Sequence, residues 1–317
     1  MSPLAPEYAH LAHLLPEAHV GIVRSIQPIS MGLSGAGVYA VSSTSGELVL
    51  RVQPERADTT LWTQQLHVLR QAAERGVAPP ILHVDEAARA VVSRRVAGVP
   101  LPAALVDPGQ RGPAIASIVA QLRTLHALDG TGLAPRDPLA FTRAQLASQR
   151  TRPGFPAWAG ELDAIFADAA AALAQDPRRV VSHNDVNPGN VLWDGTRAWL
   201  VDWEVCGLTH PFYDLAVLAV FLSFDDATAH GLLAMQEQRP IDDVEHATFA
   251  TLRRLAALLC GLTFLSLLPD LGILPANAPT LAEFYAELRA GKLDLQQPGG
   301  QAAFALALLR VGVNAGP

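Results

Sequence analysis

Residues 180–214 read VVSHNDVNPGNVLWDGTRAWLVDWEVCGLTHPFYD, and the order of polar side chains in this stretch decides how the chain is read. His183-Asn184-Asp185 is followed by Asn190 five residues after the aspartate, by Asp202 after seventeen and by Glu204 after nineteen. Asp185 can accept a proton from a hydroxyl nucleophile. Asn190 and Asp202 offer hard oxygen donors of the kind Mg²⁺ prefers. The apolar runs Val180-Val181 and Trp199-Leu200-Val201 read as short strands that would hold the two acidic ends rigidly. A catalytic-loop carboxylate, an asparagine and a second metal-binding carboxylate are the residue types that phosphoryl transfer needs. Asn187-Pro188-Gly189 is a turn signal by itself, but turn chemistry does not ask for the carboxylates.

With its continuation Pro211-Phe212-Tyr213-Asp214-Leu215-Ala216, the stretch resembles the aminoglycoside phosphotransferase and choline kinase superfamily, small-molecule relatives of the protein kinases. In this resemblance His183-Asn184-Asp185 matches the His-x-Asp catalytic loop, with Asp185 the catalytic residue. Asn190 matches the metal asparagine, and Asp202 the metal aspartate of the segment that reads Asp-Phe-Gly in protein kinases. The resemblance implies an α+β, two-lobed, protein-kinase-like fold. A small N-lobe over 1–97 would hold an antiparallel sheet and one helix, and a larger, mainly helical C-lobe would span 98–317. It also implies ATP as co-substrate, Mg²⁺ as cofactor and a small-molecule hydroxyl as acceptor.

Composition narrows the setting. A chain of 317 residues with 50% hydrophobic and 17% charged residues can bury large cores and is long enough for two lobes. A formal net charge of −7 argues against general nucleic-acid binding, which draws its affinity from clustered Lys and Arg. Two cysteines, Cys206 and Cys260, are no disulfide framework, so a reducing, cytoplasmic setting is expected. The first residues show no basic stretch ahead of an apolar core, hence no signal peptide is expected. The longest apolar run, Leu255 to Leu268, is shorter than the ~20 residues of a membrane span and reads as a buried helix.

Upstream of the organising stretch the texture is β. Ile22-Val23-Arg24-Ser25-Ile26 alternates, Gly32-Leu33-Ser34-Gly35-Ala36-Gly37 follows, and Val38-Tyr39-Ala40-Val41 resumes the strand. Such a strand–loop–strand can cradle phosphates on backbone N–H groups, and Gly32, Leu33, Ser34 and Gly35 are the expected contacts. The spacing is not the dinucleotide fingerprint. The strand Leu48-Val49-Leu50-Arg51-Val52 carries one charge in an apolar run. By resemblance Arg51 takes the place of the kinase lysine that holds the phosphates, a role its planar fork can fill.

Residues 58–75 read as a helix capped by Asp58 or Thr59, with Leu61, Leu66, Leu69 and Ala73 on a common side. Kinases place a glutamate on this helix to orient the strand cation. Here the nearest match is the neutral Gln65. Either Gln65 hydrogen-bonds Arg51, or another acid such as Glu55 takes over, or the phosphate grip is weak. Strands at 81–84 and 90–93 then lead into Arg94-Arg95-Val96-Ala97-Gly98, which by resemblance is the hinge whose backbone at Arg94 and Val96 holds adenine.

Beyond the hinge the chain is helical, with Ile118, Leu122 and Leu125 on one face of a helix over 115–128. Residues 129–160, rich in Pro, Gly and Arg, read as an irregular connection, and Leu162 to Ala174 as a helix. Asp214 has two readings: an acceptor for catalytic-loop N–H groups, or a helix cap. Glu204 also has two: a group near a metal-bound water or a cationic substrate, or a solvated strand-end charge. Trp203 and Glu204 with Asp225 and Asp226 would suit an amine. The first functional reading is therefore a kinase of choline, ethanolamine, thiamine or a related amino-alcohol. An aminoglycoside-type antibiotic kinase is the alternative, and a nucleotide-binding pseudokinase, suggested by Gln65 and Arg51, is the third. No membrane partner is expected.

Overall fold

The computed structural model describes residues 6–29, 36–54, 58–158 and 162–314. In chain order these form a 3₁₀ segment (Pro6–Leu14), α1 (Glu17–Val20), β1 (Val23–Pro28), β2 (Gly37–Ser43), β3 (Gly46–Val52), α2 (Thr59–Glu74), β4 (Ile81–Asp85), β5 (Ala90–Arg94), β6 (Val99–Pro100), α3 (Leu101–Val106) and α4 (Pro108–His126). Then come α5 (Pro138–Arg150), α6 (Leu162–Gln175), β7 (Val180–Ser182), β8 (Val191–Trp193), β9 (Ala198–Leu200) and β10 (Gly207–Thr209). The chain closes with α7 (Tyr213–Phe221), α8 (Asp226–Glu237), α9 (Asp243–Leu267), α10 (Leu281–Arg289) and α11 (Pro298–Asn314). The class is α+β, as expected. The chain forms two compact units, the first Met1–Asp129 with Gly189–Cys206, the second Gly130–Pro188 with Gly207–Pro317.

In the first unit, five antiparallel strands run in the order β1-β2-β3-β5-β4. Strand alternation sorts their side chains onto two faces. Leu48 and Leu50 of β3 and Ala90 and Val92 of β5 pack with Leu11, Leu14 and Val20 from the lead-in. On the other face Val91 packs with Trp62 and Leu66 of α2. Arg51 follows Leu50 and pairs with Val91, so the same alternation turns it towards α2. Asp58 caps α2, its carboxylate accepting the N–H of Thr60 at 2.7 Å and of Leu61 at 3.1 Å. The helix buries Trp62, Leu66, Val68 and Ala72, with Leu69 packed against the same cluster as Trp62 and Leu66. Of the expected face Leu66 and Leu69 are kept, while Trp62 and Ala72 stand in for Leu61 and Ala73. The indole offers more apolar surface than Leu61, so it is the side chain that turns inward at the start of the helix.

The first unit runs past residue 97 because β6 pairs with β8, and β8 with β9, in a second antiparallel sheet. Gly98 is required there: a Cβ would stand 2.7 Å from the Trp193 carbonyl oxygen. The α4 helix supports this sheet through Trp193 Nε1 on Gln110 Oε1 (2.8 Å) and the Ala198 N–H on Ser117 Oγ (2.9 Å).

The second unit is mainly helical. Its centre is α9, against which α5, α6, α7 and α11 pack. Leu255, Leu258, Leu262 and Leu265 of α9 are buried with Leu146, Phe166, Ala305 and Leu309. The expected run at 255–268 is only the second half of this helix, which begins at a capping box of Asp242 and Glu245. By length and composition α9 is long and apolar enough to cross a membrane; in the fold it serves as a core helix. The stretch 129–160 also differs from expectation, since it contains α5. Asp137 accepts the N–H groups of Leu139 and Ala140 (2.9 and 3.1 Å), and Pro138 fills the first turn, a start signal that the surrounding Pro and Arg residues obscure.

Candidate functional site

In the first unit the β3 cation meets two acids. Arg51 Nη2 lies 2.9 Å from Asp202 Oδ1 and also donates to Glu204 Oε1. The three side chains are 23%, 27% and 26% exposed, so the triplet is sheltered without being sealed from water. Gln65 of α2 does not reach Arg51. Its Nε2 donates to the main-chain carbonyl of Glu204. The acid that accompanies the strand cation therefore comes from residues 202–204, and α2 grips the backbone of that segment. Glu55 and the loop residues Gly32, Leu33, Ser34 and Gly35 lie outside the described residues.

The β8–β9 hairpin positions Asp202. Its ladder runs from Val191 opposite Leu200 to Trp193 opposite Ala198. At the open end the Val201 N–H donates to the Asn190 carbonyl at 3.0 Å, so Asn190 and Asp202 leave the same end of one ladder. The Leu200 N–H, bonded to the Val77 carbonyl at 2.9 Å, ties the hairpin to the residues after α2. Asp202 has a φ of +66°. This left-handed backbone is uncommon for a residue with a Cβ, and aspartate is among the few that tolerate it. Such strain gathers at functional positions.

Asp202, Glu204 and Asn190 present hard oxygen donors, and a guanidinium already satisfies the two carboxylates. That donor set fits Mg²⁺, which keeps several waters and needs only one or two carboxylates. Among the described residues no group of three or more His, Cys, Asp and Glu side chains is placed to hold a metal. Trp203 is not a cation-facing aromatic; it is buried, and its Nε1 donates to the Leu200 carbonyl at 3.1 Å. At the hinge, the Arg94 N–H is taken by the Pro80 carbonyl at 2.8 Å, and its Nη1 by the Ser45 carbonyl. Val96 lies half-buried in the loop that follows.

The second unit holds the His183-Asn184-Asp185 segment at the end of β7. The fully buried Asp214 carboxylate accepts the His183 N–H on Oδ2 (3.0 Å) and the Asn184 N–H on Oδ1 (2.7 Å). The cap position of α7 is Phe212, which offers no side-chain bond, so of the two readings of Asp214 the loop acceptor is the one realised. Asn184 has a φ of +67°, which asparagine tolerates, and the chain turns there to present Asp185. Asn187 Nδ2 donates to Asp185 Oδ1 at 2.9 Å.

Sequence reading missed what fixes this loop from behind. β7 pairs antiparallel with β10, a three-residue strand too short to announce itself. Beyond β10, the buried His210 places Nε2 3.1 Å from Asp176 Oδ2, while its Nδ1 accepts the Phe212 N–H at 3.2 Å. That bond fixes the neutral tautomer with its proton towards Asp176. Burial holds the His210 imidazole down at about 4, outweighing the pull of Asp176. Arg178 donates to both Asp176 oxygens, at 2.8 Å from Nε and 2.6 Å from Nη2, and keeps that carboxyl well below the usual range. The guanidinium also lies 5.1 Å from the Phe212 ring centroid. Cys260 of α9 and Tyr213 stand in the field of Asp185: burial chiefly pushes both groups up, and the Asp185 charge adds to it. Asp225 and Asp226 are committed elsewhere, the first capping α8 and the second paired with Arg253 at 2.6 Å.

Residues 25–258 match the model of the phosphotransferase enzyme family. No curated protein matches the chain. Among solved structures, a choline/ethanolamine kinase family protein from Mesorhizobium loti is similar with a TM-score of 0.64 and 22% identity, covering 91% of this chain and 90% of that one. Choline kinase LicA from Streptococcus pneumoniae is similar at 0.63 and 16%, covering 96% and 97%. Macrolide 2′-phosphotransferase MphH from Brachybacterium faecium is similar at 0.56 and 20%, covering 83% and 94%. At these identities the likeness is one of fold.

Proposed function

The chain belongs to the phosphotransferase enzyme family, and on that premise we propose that it moves the γ-phosphoryl group of ATP to a hydroxyl of a small amino-alcohol such as choline, ethanolamine or thiamine. The observation that carries the reading is the contact of Arg51 with Asp202 and Glu204, a strand cation facing the carboxylate that the motif spacing assigns to metal. Nucleotide use is further supported by an AMP complex of the similar LicA.

Asp185 orients the acceptor hydroxyl and takes its proton, with Asn187 holding one carboxylate oxygen. A loose, metaphosphate-like transition state asks little base strength, so positioning matters more than basicity. Asn190 and Asp202 would hold Mg²⁺, which when bound neutralises charge on the phosphate oxygens. Arg51 grips phosphate oxygens through its planar fork. By resemblance the backbone of Gly32, Leu33, Ser34 and Gly35 would supply the rest of the phosphate contacts; those residues lie outside the described ones. The N–H of Arg94 is committed to Pro80, so its carbonyl is the group left to meet the adenine amino group, beside the backbone of Val96.

The branch assignment to amino-alcohols rests on Arg51 and on Asp202-Trp203-Glu204 as sequence features. The test is ADP release with Mg²⁺ and ATP across choline, ethanolamine, thiamine, aminoglycosides and a macrolide, with Asp185→Asn alongside. Turnover that needs one acceptor class and vanishes in Asp185→Asn establishes the reaction and its acceptor. An antibiotic acceptor would replace the amino-alcohol, and absence of ATP binding would remove the kinase reading.

A further inference from the structure

Arg51 sits on both carboxylates nearest the proposed metal position. One nitrogen, Nη2, serves Asp202 Oδ1 and Glu204 Oε1 together. Glu204 is kept in place by Gln65, which holds its main-chain carbonyl from α2. The local charge is two carboxylates against one guanidinium. A divalent cation carries twice the charge and binds carboxylate oxygen directly, whereas like charges a few ångströms apart repel. A guanidinium and a metal ion therefore compete for these oxygens.

We propose that Asp202 and Glu204 form one cation site whose occupant in the free protein is the Arg51 guanidinium, so that a divalent cation binds there by displacing Arg51. This rests on the phosphotransferase reading for the metal and for the anion to which Arg51 then turns. Once displaced, the guanidinium needs a new anionic partner, and phosphate oxygens match its fork. Arg51 thus disfavours metal binding without nucleotide and favours it with nucleotide. Glu204 acquires a definite part, since it shares the cation with Asp202.

The experiment is Mn²⁺ titration of the whole protein without nucleotide, followed by the paramagnetic resonance signal of free Mn²⁺. Wild type, Arg51→Gln, Arg51→Lys and Asp202→Asn are compared. Arg51→Gln is expected to bind Mn²⁺ about tenfold more tightly than wild type, because the competitor is gone. Lysine keeps a charge but cannot present a fork, so Arg51→Lys should fall between, about threefold tighter than wild type. Asp202→Asn should bind weakly. Both carboxylates are about a quarter exposed, at 27% and 26%, so removing Arg51 leaves no sealed-in charge; circular dichroism checks the fold. If the glutamine variant does not fold, the lysine variant must still bind more tightly than wild type. Equal, weaker or absent Mn²⁺ binding in a folded Arg51 variant overturns the exchange. Acceptor-dependent ADP release by wild type alongside that result sinks the exchange alone. Tighter Mn²⁺ binding with no turnover on any acceptor sinks the proposed reaction and keeps the exchange.

Discussion

Asp214 accepts the backbone N–H of Asn184 at 2.7 Å, and Asn184 is the residue whose φ of +67° turns the chain towards Asp185. A buried carboxylate thus stabilises an uncommon backbone conformation one residue before the proposed base. Each hydrogen bond to a charged group contributes about 1.5–3 kcal/mol, and Asp214 makes a second one, to His183. Asp214→Ala should therefore lower stability by about 3 kcal/mol or more. Asp214→Asn keeps one acceptor oxygen but aims an amide at the other N–H, for a loss of about 2 kcal/mol. Both should lower kcat far more than they raise the KM for ATP, since they displace the base and leave Arg51 untouched. Urea unfolding midpoints and steady-state kinetics check this.

Gln65 leads to a prediction of opposite character. Its amide donates to the Glu204 carbonyl, and a glutamate there cannot donate. Gln65→Glu would place an anion against a carbonyl and near two more acids. It should raise the KM for ATP about three- to tenfold, with a smaller effect on kcat, as Glu204 shifts and Arg51 loses its bearing. Gln65→Leu, which only removes the bond, should raise it less. If Gln65→Glu tightened nucleotide binding, α2 would be supplying a direct partner to Arg51, and the link through Glu204 would be wrong.

These two relationships differ in how far sequence could anticipate them. The Asp185, Asn190 and Asp202 spacing is legible because the residues lie in one continuous stretch, and so is the alternation that turns Arg51 away from the Leu48–Leu50 face. The pairing of Arg51 with Glu204 joins residues 153 apart, and the bond from Gln65 spans 139. No periodicity reports on such a contact. A neutral residue where an acid is usual showed that something differed, but not which acid stood in. The same applies to β10, whose three residues form a strand only because β7 lies alongside. The α5 helix was legible in principle, since Asp137-Pro138 is a cap followed by a first-turn proline. The choice of Trp62 over Leu61 in α2 was not, because the sheet packed against the helix decides which of the two faces inward.

His210 carries a pH dependence whose sign is fixed. Its pKa is lowered from 6.5 to about 4 in the folded protein, chiefly by burial. The unfolded chain binds the extra proton more readily than the folded one. The contribution to stability is therefore fully present above pH 6.5 and is lost as the pH falls to about 4. The shift corresponds to about 3 kcal/mol. Asp176, whose pKa is lowered mainly by Arg178, shifts stability in the same direction at still lower pH. The melting temperature should fall between pH 6.5 and 4, and in His210→Asn the fall across that window should be shallower. That variant should also be less stable at pH 8, where it lacks the contact at 3.1 Å to Asp176. An unchanged slope would show that another group governs the window.

Two helical glycines in the second unit should respond to the same substitution with opposite signs. Alanine in place of glycine inside a helix contributes about 1 kcal/mol through backbone entropy. At Gly231 of α8 a new Cβ meets nothing within 4 Å, so Gly231→Ala should gain most of that. At Gly261 of α9 the Cβ would stand 2.8 Å from Leu309 Cγ and 3.0 Å from the Ala305 carbonyl oxygen. Leu309 is itself fully buried and the carbonyl belongs to the α11 backbone, so neither can yield cheaply. Overpacking of this kind costs about 1–3 kcal/mol, which exceeds the propensity gain. Gly261→Ala should therefore lose about 1 kcal/mol, measured as a lower unfolding midpoint, while Gly231→Ala raises it. Stabilisation by both would mean that α9 and α11 have room to separate, and that the glycine is not what allows them to pack closely.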